Sequence, residues 1–268
     1  NSPEFLIEDT HQSLADTKEW LEASAQFGPL VKPIITPRFV PSCTSELMSG
    51  LGNLAEAYNV PVQSHLSENH GEIDWVAALH PEAANYTDVY YEHHLMGKVP
   101  TVMAHCIHLS DVEMDLMAET QTMVSHCPYS NVNLSSGIAP IRKLFERKIP
   151  IGLGSDISGG HIVSMAKVLT EAIGLSKMKW VEVDQTYAPL TLSEAFYMAT
   201  KGGGKFFGKV GSFEKGCELD ALVIDDTTLF DPNERSLEER LERWLYIGDD
   251  RHIVERYIAG KVAPEPTN

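Results

Sequence analysis

The amino-acid sequence predicts an α/β protein whose core is a parallel sheet, followed by a smaller β layer at the carboxy-terminal end. Three observations lead there. Five short runs rich in β-branched and apolar residues recur between positions 32 and 155. Longer stretches of helical periodicity separate them. From Gly211 onward the pattern changes to turn residues and alternating strands.

The runs are Lys32–Phe39, Val60–Leu66, Thr101–Ile107, Thr122–His126 and Ile149–Ser155. Several are almost continuously apolar, as parallel strands covered on both faces are. Leu47, Leu51, Leu54 and Tyr58 recur at helical spacing after the first run. Ser110-Asp-Val-Glu113, Thr191-Leu-Ser-Glu194 and Ser236-Leu-Glu-Glu239 each have the form of a capping box, which predicts a helix start at each. Another helix is expected from about Ile162 to Met178. The stretch from Gly211 to Gly216 reads as turns, and Glu218–Asp225 and Val254–Val262 as two strands able to pair. Pro264 and Pro266 close an expected frayed tail. The expected division is residues 1–210 for the main domain and 211–268 for a small β segment with a helix. Periodicity alone leaves both an open doubly wound sheet and part of a barrel open.

The formal net charge of −17 disfavours nucleic-acid polymers and anionic membrane surfaces as partners, but not a neutral base. Cys43, Cys106, Cys127 and Cys217 are scattered without a C-x-x-C pair, which predicts reduced thiols in a cytoplasmic protein. No apolar run reaches the length of a membrane span. The chain starts at Asn1 with no leader pattern, and is therefore expected to begin inside a longer protein.

Three run ends carry potential metal ligands: His65 in Gln63-Ser-His65-Leu-Ser-Glu68-Asn69, His105 in Met103-Ala-His105-Cys-Ile-His108, and Asp156 in Gly152-Leu-Gly-Ser-Asp156. Catalytic groups in parallel α/β folds collect at the carboxyl ends of strands. Two imidazoles and a carboxylate there suit zinc or another divalent metal. Each also has a plainer reading: a hydrogen-bonded core histidine, or an aspartate serving as a helix N-cap. Glu68, three residues past His65, can face a metal-activated water and relay its proton; its plainer reading is an exposed loop glutamate.

His65-Leu-Ser-Glu68-Asn69, Met103-Ala-His105, Ser125-His-Cys-Pro128-Tyr-Ser130-Asn131 and Gly152-Leu-Gly-Ser-Asp156 follow in the order and spacing of the amidohydrolase superfamily. Within it the chain resembles the guanine deaminases, through Thr36-Pro-Arg38-Phe39, Pro3-Glu-Phe5, Gly248-Asp-Asp-Arg251 and Ala259-Gly-Lys261. The resemblance implies a metal-dependent hydrolase with a (β/α)8 TIM-like barrel, strands four to eight of it in this chain, plus part of a small β domain. It implies one zinc per site (iron being the alternative) held by His65, His105 and Asp156. Glu68, Asp156 and His105 would then be catalytic, with Glu68 as the proton shuttle. Substrate contacts would come from Arg38 at the six-oxo group, Phe39 beside the purine, His65, Glu68 and Asp156. A guanidinium is a donor-only fork that suits a carbonyl and a ring nitrogen.

The resemblance further implies guanine as substrate, a cytoplasmic homodimer, and a His-x-His pair of ligands upstream of Thr36. The only histidine before Thr36 is His11, so the pair is expected on an amino-terminal segment of the same enzyme that acts as this chain's partner. The alternatives are a deaminase of another aminopurine, a pterin or a triazine, and an inactive purine-binding homologue. His126 and His108 are expected near the site without binding metal, His161 at a helix start, and His93 and His94 on the surface of a helix. Asn131 is expected to order the loop over the pocket, more so than Ser130.

Overall fold

The apolar runs become strands only where the backbone can hydrogen-bond without interruption. In the structure, a computed structural model describing residues 3–264, the second, third and fourth runs form β1 (Val62–Leu66), β2 (Thr101–His105) and β3 (Met123–His126). These are parallel, with Val62 opposite Thr101 and Met103 opposite Val124. The first run does not form a strand. Pro33 and Pro37 lack the N–H that a ladder needs, so the segment stays extended with a single bridge from Ile35 to Val62. It is still tied to β1, because His65 N–H donates to the Arg38 carbonyl at 3.3 Å.

The chain divides into two compact units, Asn1–His126 with Lys143–Pro150 and Cys127–Arg142 with Ile151–Asn268. The first unit holds β1–β3 and the helices α1 (Thr10–Ser24), α2 (Ser45–Tyr58), α3 (His70–Leu79), α4 (Tyr86–Glu92) and α5 (Asp111–Glu119). The buried stripe of α2 is Met48, Leu51 and Ala55. It is rotated from the expected Leu47, Leu51, Leu54 and Tyr58, of which only Leu51 is fully buried. α4 ends before His93 and His94, contrary to the expectation that they share a helix. His93 is half-buried with Nδ1 2.8 Å from the Ser49 hydroxyl, and burial lowers its pKa. Its neighbour His94 takes a left-handed φ of 59° and is exposed.

The helices α6 (Pro128–Asn133) and α7 (Ile141–Glu146) follow β3. In the second unit, β4 (Ile151–Leu153) precedes α8 (Met165–Glu182), which starts three residues later than expected because Ser164 takes the N-cap position. The capping box at Thr191 opens α9 (Leu192–Tyr197), which continues into a π-helical turn, Met198–Gly202. A Cβ on Gly202 would sit 2.8 Å from the Ile151 carbonyl, so this turn requires glycine to lie against β4. An antiparallel sheet of β5 (Ala221–Ile224), β6 (Ile253–Ile258) and β7 (Lys261–Val262) realises the predicted small β layer. The capping box at Ser236 opens α10 (Leu237–Ile247). Lys167 Nζ donates to the carbonyls of Leu245 and Tyr246 at its end, where a cation complements the helix dipole. The part of the expected frayed tail containing Pro266 lies outside the described residues. Among the described residues the four cysteines form no disulfide with one another, and Cys106 and Cys127 are buried. No described helix is long and apolar enough to cross a membrane.

One ion pair in the second unit has a measurable pH signature. Arg142 makes a forked contact with Glu194, at 2.6 Å and 3.0 Å. That contact, helped by the Thr191 cap, holds the Glu194 carboxyl at about 2. A depressed carboxyl contributes stability that is complete above its unfolded pKa of about 4.3 and is lost as pH falls through the folded value. The stability difference between the native protein and Glu194→Gln is therefore expected to be constant near neutrality and to shrink between about pH 4.3 and pH 2. Urea titrations at a series of pH values read this directly.

Candidate functional site

Parallel strands deliver their carboxyl ends to one edge, and β1 and β2 end in His65-Leu66 and His105. In the β1–β2 register Leu66 lies opposite His105 and His65 opposite Ala104. Regular alternation would therefore point the two imidazoles to opposite faces of the sheet. The backbone overrides this. His105 has φ +69° where a parallel strand has about −120°, which turns its side chain by about half a turn about N–Cα. The rings of His65 and His105 then stack, with centroids 5.3 Å apart and planes 23° apart. Left-handed φ values recur at Ser67 (+49°) and Cys106 (+50°). For non-glycine residues such values cost energy, and they gather at functional sites. They are held here by strand-end hydrogen bonds: Cys106 N–H donates to the Leu66 carbonyl at 3.0 Å, and Ile107 and His108 donate to the Ser67 carbonyl at 3.1 Å.

His65 is half-buried, with Nδ1 2.6 Å from the Arg38 carbonyl oxygen. A carbonyl can only accept, so Nδ1 donates, and in the neutral ring Nε2 is then the nitrogen with the lone pair, the arrangement of a metal-binding histidine. His105 is 1% exposed. Glu68 is half-buried and brings Oε2 to 3.8 Å from His105 Nε2, within ion-pair range but beyond hydrogen-bond length. The Arg38 side chain is exposed, its guanidinium carbon 5.2 Å from the Phe39 ring centroid. Thus His65, His105 and Glu68 come together in the first unit, and the Arg38-Phe39 segment is joined to them through the Arg38 carbonyl. The sequence reading of Glu68 as a loop residue beyond the strand holds, but the residue is not exposed.

Asp156 lies in the second unit, in the loop after β4. It too is left-handed, with φ +46°, and its carbonyl accepts the Gly160 N–H at 2.6 Å. A Cβ on Gly159 would meet the Asp156 Oδ2 at 2.8 Å and Ser130 Oγ at 2.7 Å, so a larger residue there would displace these side-chain ends. Ser130 and Asn131 are both fully buried at the start of α6. His161 is exposed before α8, edge-on to Tyr129 at 5.0 Å.

His126 is 1% exposed on β3, and Nδ1 has no hydrogen-bond partner. Burial, with a smaller contribution from the charge of His105, pushes its pKa down to about 3, so this imidazole is neutral at ordinary pH. His70 and His108 form a further imidazole pair, centroids 4.0 Å apart. Trp75 stands edge-on to Phe39 at 6.2 Å. Sequence reasoning missed His70 and Trp75, because nothing in local spacing marks a contact made between segments.

Among the described residues no group of three or more His, Cys, Asp and Glu side chains is gathered as a metal centre by itself. The donors fit a divalent metal as part of a ligand set: a histidine with its tautomer fixed by a backbone carbonyl, a second imidazole stacked on it, and a carboxylate facing the second.

The amidohydrolase family's sequence pattern matches residues 4–263. The chain is 44% identical over 268 residues to the guanine deaminase of Dictyostelium discoideum, covering 97% of this chain and 59% of that one. With the guanine deaminase of Mus musculus it shares 39% identity, again over 97% of this chain and 59% of the relative. The chain thus spans 59% of the length of these curated relatives. The structure of a C. acetobutylicum guanine deaminase with guanine in its active site superposes with a TM-score of 0.95 at 52% identity, over 98% of this chain and 62% of the other. A zinc-bound adenosine deaminase from Xanthomonas campestris, at 23% identity and TM-score 0.80 over 94% of this chain and 56% of that one, shares the fold.

Proposed function

The chain belongs to the amidohydrolase family, and we propose that it supplies the carboxy-terminal part of a guanine deaminase, which converts guanine and water to xanthine and ammonia. One observation carries this reading. His65, His105 and Glu68 meet at the ends of adjacent strands, and the Arg38-Phe39 segment is joined to them through the bond from His65 to the Arg38 carbonyl. The guanine-bound relative at 52% identity supports the choice of substrate.

In this reading His65, His105 and Asp156 would hold one zinc ion, with a His-x-His pair on an amino-terminal segment of the same enzyme completing the set. Zinc supplies Lewis-acid activation of water at neutral pH. Glu68 takes a proton from the attacking water and gives it to N3 of guanine as oxygen bonds to C2. His105 would help to stabilise the developing charge, and Asp156 takes the second proton, from the new hydroxyl at C2, and passes it to the exocyclic amine, which leaves as ammonia. Arg38 donates to the six-oxo group, and Phe39, braced edge-on by Trp75, walls one side of the purine. Residues 1–210 provide the carboxy-terminal portion of the barrel, with the extended segment bridged at Ile35 in the place of its fourth strand, and 211–268 part of the small β domain. The working assembly is a cytoplasmic homodimer.

Ammonia release by the complete protein tests this. Guanine is expected to exceed 2-aminopurine, which lacks the six-oxo group, by about 10⁴ in kcat/KM, because a site built for a hydrogen-bonding group rejects an analogue without it. Equal rates for the two purines, or preference for a pterin or triazine, would move the assignment elsewhere in the family.

A further inference from the structure

Glu72 is the third residue of α3, where a glutamate ordinarily reaches back to the N-cap amide. Three other helices follow that rule: Glu113 accepts from Ser110 N–H at 2.8 Å, Glu194 from Thr191 N–H at 2.9 Å and Glu239 from Ser236 N–H at 2.8 Å. Glu72 closes the same box with Asn69 and adds a second, shorter bond. Its Oε2 accepts the N–H of Glu68 at 2.8 Å, while the N-cap amide of Asn69 stands at 3.4 Å. Its Oε1 accepts from the Tyr86 hydroxyl at 2.7 Å. The residue is only 7% exposed, whereas Glu239 performs an ordinary cap on the surface. Burying a carboxylate is costly unless its hydrogen bonds offset the lost water.

Tyr86 is a dependable donor, because burial pushes its phenol far above the ordinary range. Its ring stacks on Tyr90 at 5.6 Å. The Tyr90 hydroxyl is 2.8 Å from the His65 carbonyl and 2.7 Å from Ser64 Oγ. Neighbouring side chains of α4 thus hold both ends of the segment from His65 to Glu68: Tyr90 at the carbonyl of His65, and Tyr86, through Glu72, at the amide of Glu68.

We propose that Glu72 is a positioning residue that sets the placement of Glu68 by gripping its backbone amide from a buried seat on Tyr86. The proposal rests on the deaminase reading for its kinetic consequence. The grip itself is a matter of hydrogen bonds alone.

The test is a double-mutant cycle in the complete protein, with hydrogen exchange alongside. Glu72→Ala is expected to lower kcat for guanine by about 10²-fold, the cost typical of a misplacement of about 1 Å, with KM changed less than about threefold. In a Glu68→Gln background the same change is expected to cost less than about threefold further, since a residue acting through Glu68 has nothing left to position. Exchange at the Glu68 amide should rise about tenfold or more in Glu72→Ala. Additive losses, or a folded Glu72→Ala enzyme with native turnover, overturn the proposal. Should that variant not fold, Glu72→Gln keeps an acceptor for the Glu68 amide but offers Tyr86 a donor, and a kcat drop of about tenfold is expected; native turnover there overturns it equally. If the native protein releases no ammonia from guanine, the deaminase reading fails by itself. Unchanged exchange at the Glu68 amide in Glu72→Ala then still sinks the positioning role.

Discussion

Glu68→Gln is expected to lower kcat for guanine deamination by about 10²–10⁴-fold, the range for losing a positioned general acid–base group, while leaving bound metal unchanged. Glutamine keeps the size and an acceptor oxygen, so the loop should keep the bond that the Glu68 amide donates to the Glu72 carboxylate, in which Glu68 takes part only through its backbone. What is lost is the ability to take a proton from water and return it to the purine ring. The 3.8 Å contact between Glu68 Oε2 and His105 Nε2 puts that carboxylate at the site without making it a fixed hydrogen-bond partner of the imidazole. Near-native turnover in the variant, with native metal content, would assign the proton transfer to another group.

His105→Ala is expected to release the metal and abolish turnover. The loss should exceed the 10–100-fold typical of removing an outer-shell partner, because a catalytic zinc site has few protein ligands to spare. His105 is 1% exposed and held in a left-handed conformation at the end of β2. A buried imidazole at a strained position is hard to explain by packing alone. Metal analysis after dialysis, beside the native protein, reads the effect. A variant retaining stoichiometric metal and activity would make His105 a core histidine instead.

Much of this was legible in the residues because local physics wrote it there. Short apolar runs bounded by turn residues marked β1, β2, β3 and β4 to within a few residues. The Ser110, Thr191 and Ser236 capping boxes each opened a helix, since their bonds join residues three apart. The first run misled, because its apolar residues outweighed Pro33 and Pro37, which remove the donors of a ladder. The helix periodicity after it was legible but its buried stripe was not: Met48 and Ala55 are buried by contacts that no helical repeat specifies.

At the site the residue types were readable and their geometry was not. Alternation along β2 points His105 away from His65, and only the positive φ turns it back. The Asn69-x-x-Glu72 spacing signals the cap that forms, but not the shorter bond its carboxylate takes from the Glu68 amide nor its seat on Tyr86, 14 residues further on. The Arg38 carbonyl that orients His65 lies 27 residues before it. Both are contacts between segments, beyond the reach of local spacing.

Diffraction from crystals of the complete protein, recorded at the zinc and iron absorption edges, tests the metal assignment most directly. One anomalous peak is expected, bonded to Nε2 of His65, Nε2 of His105 and the carboxylate of Asp156. A bound metal held by other residues, with these three side chains making no bond to it, would contradict that assignment.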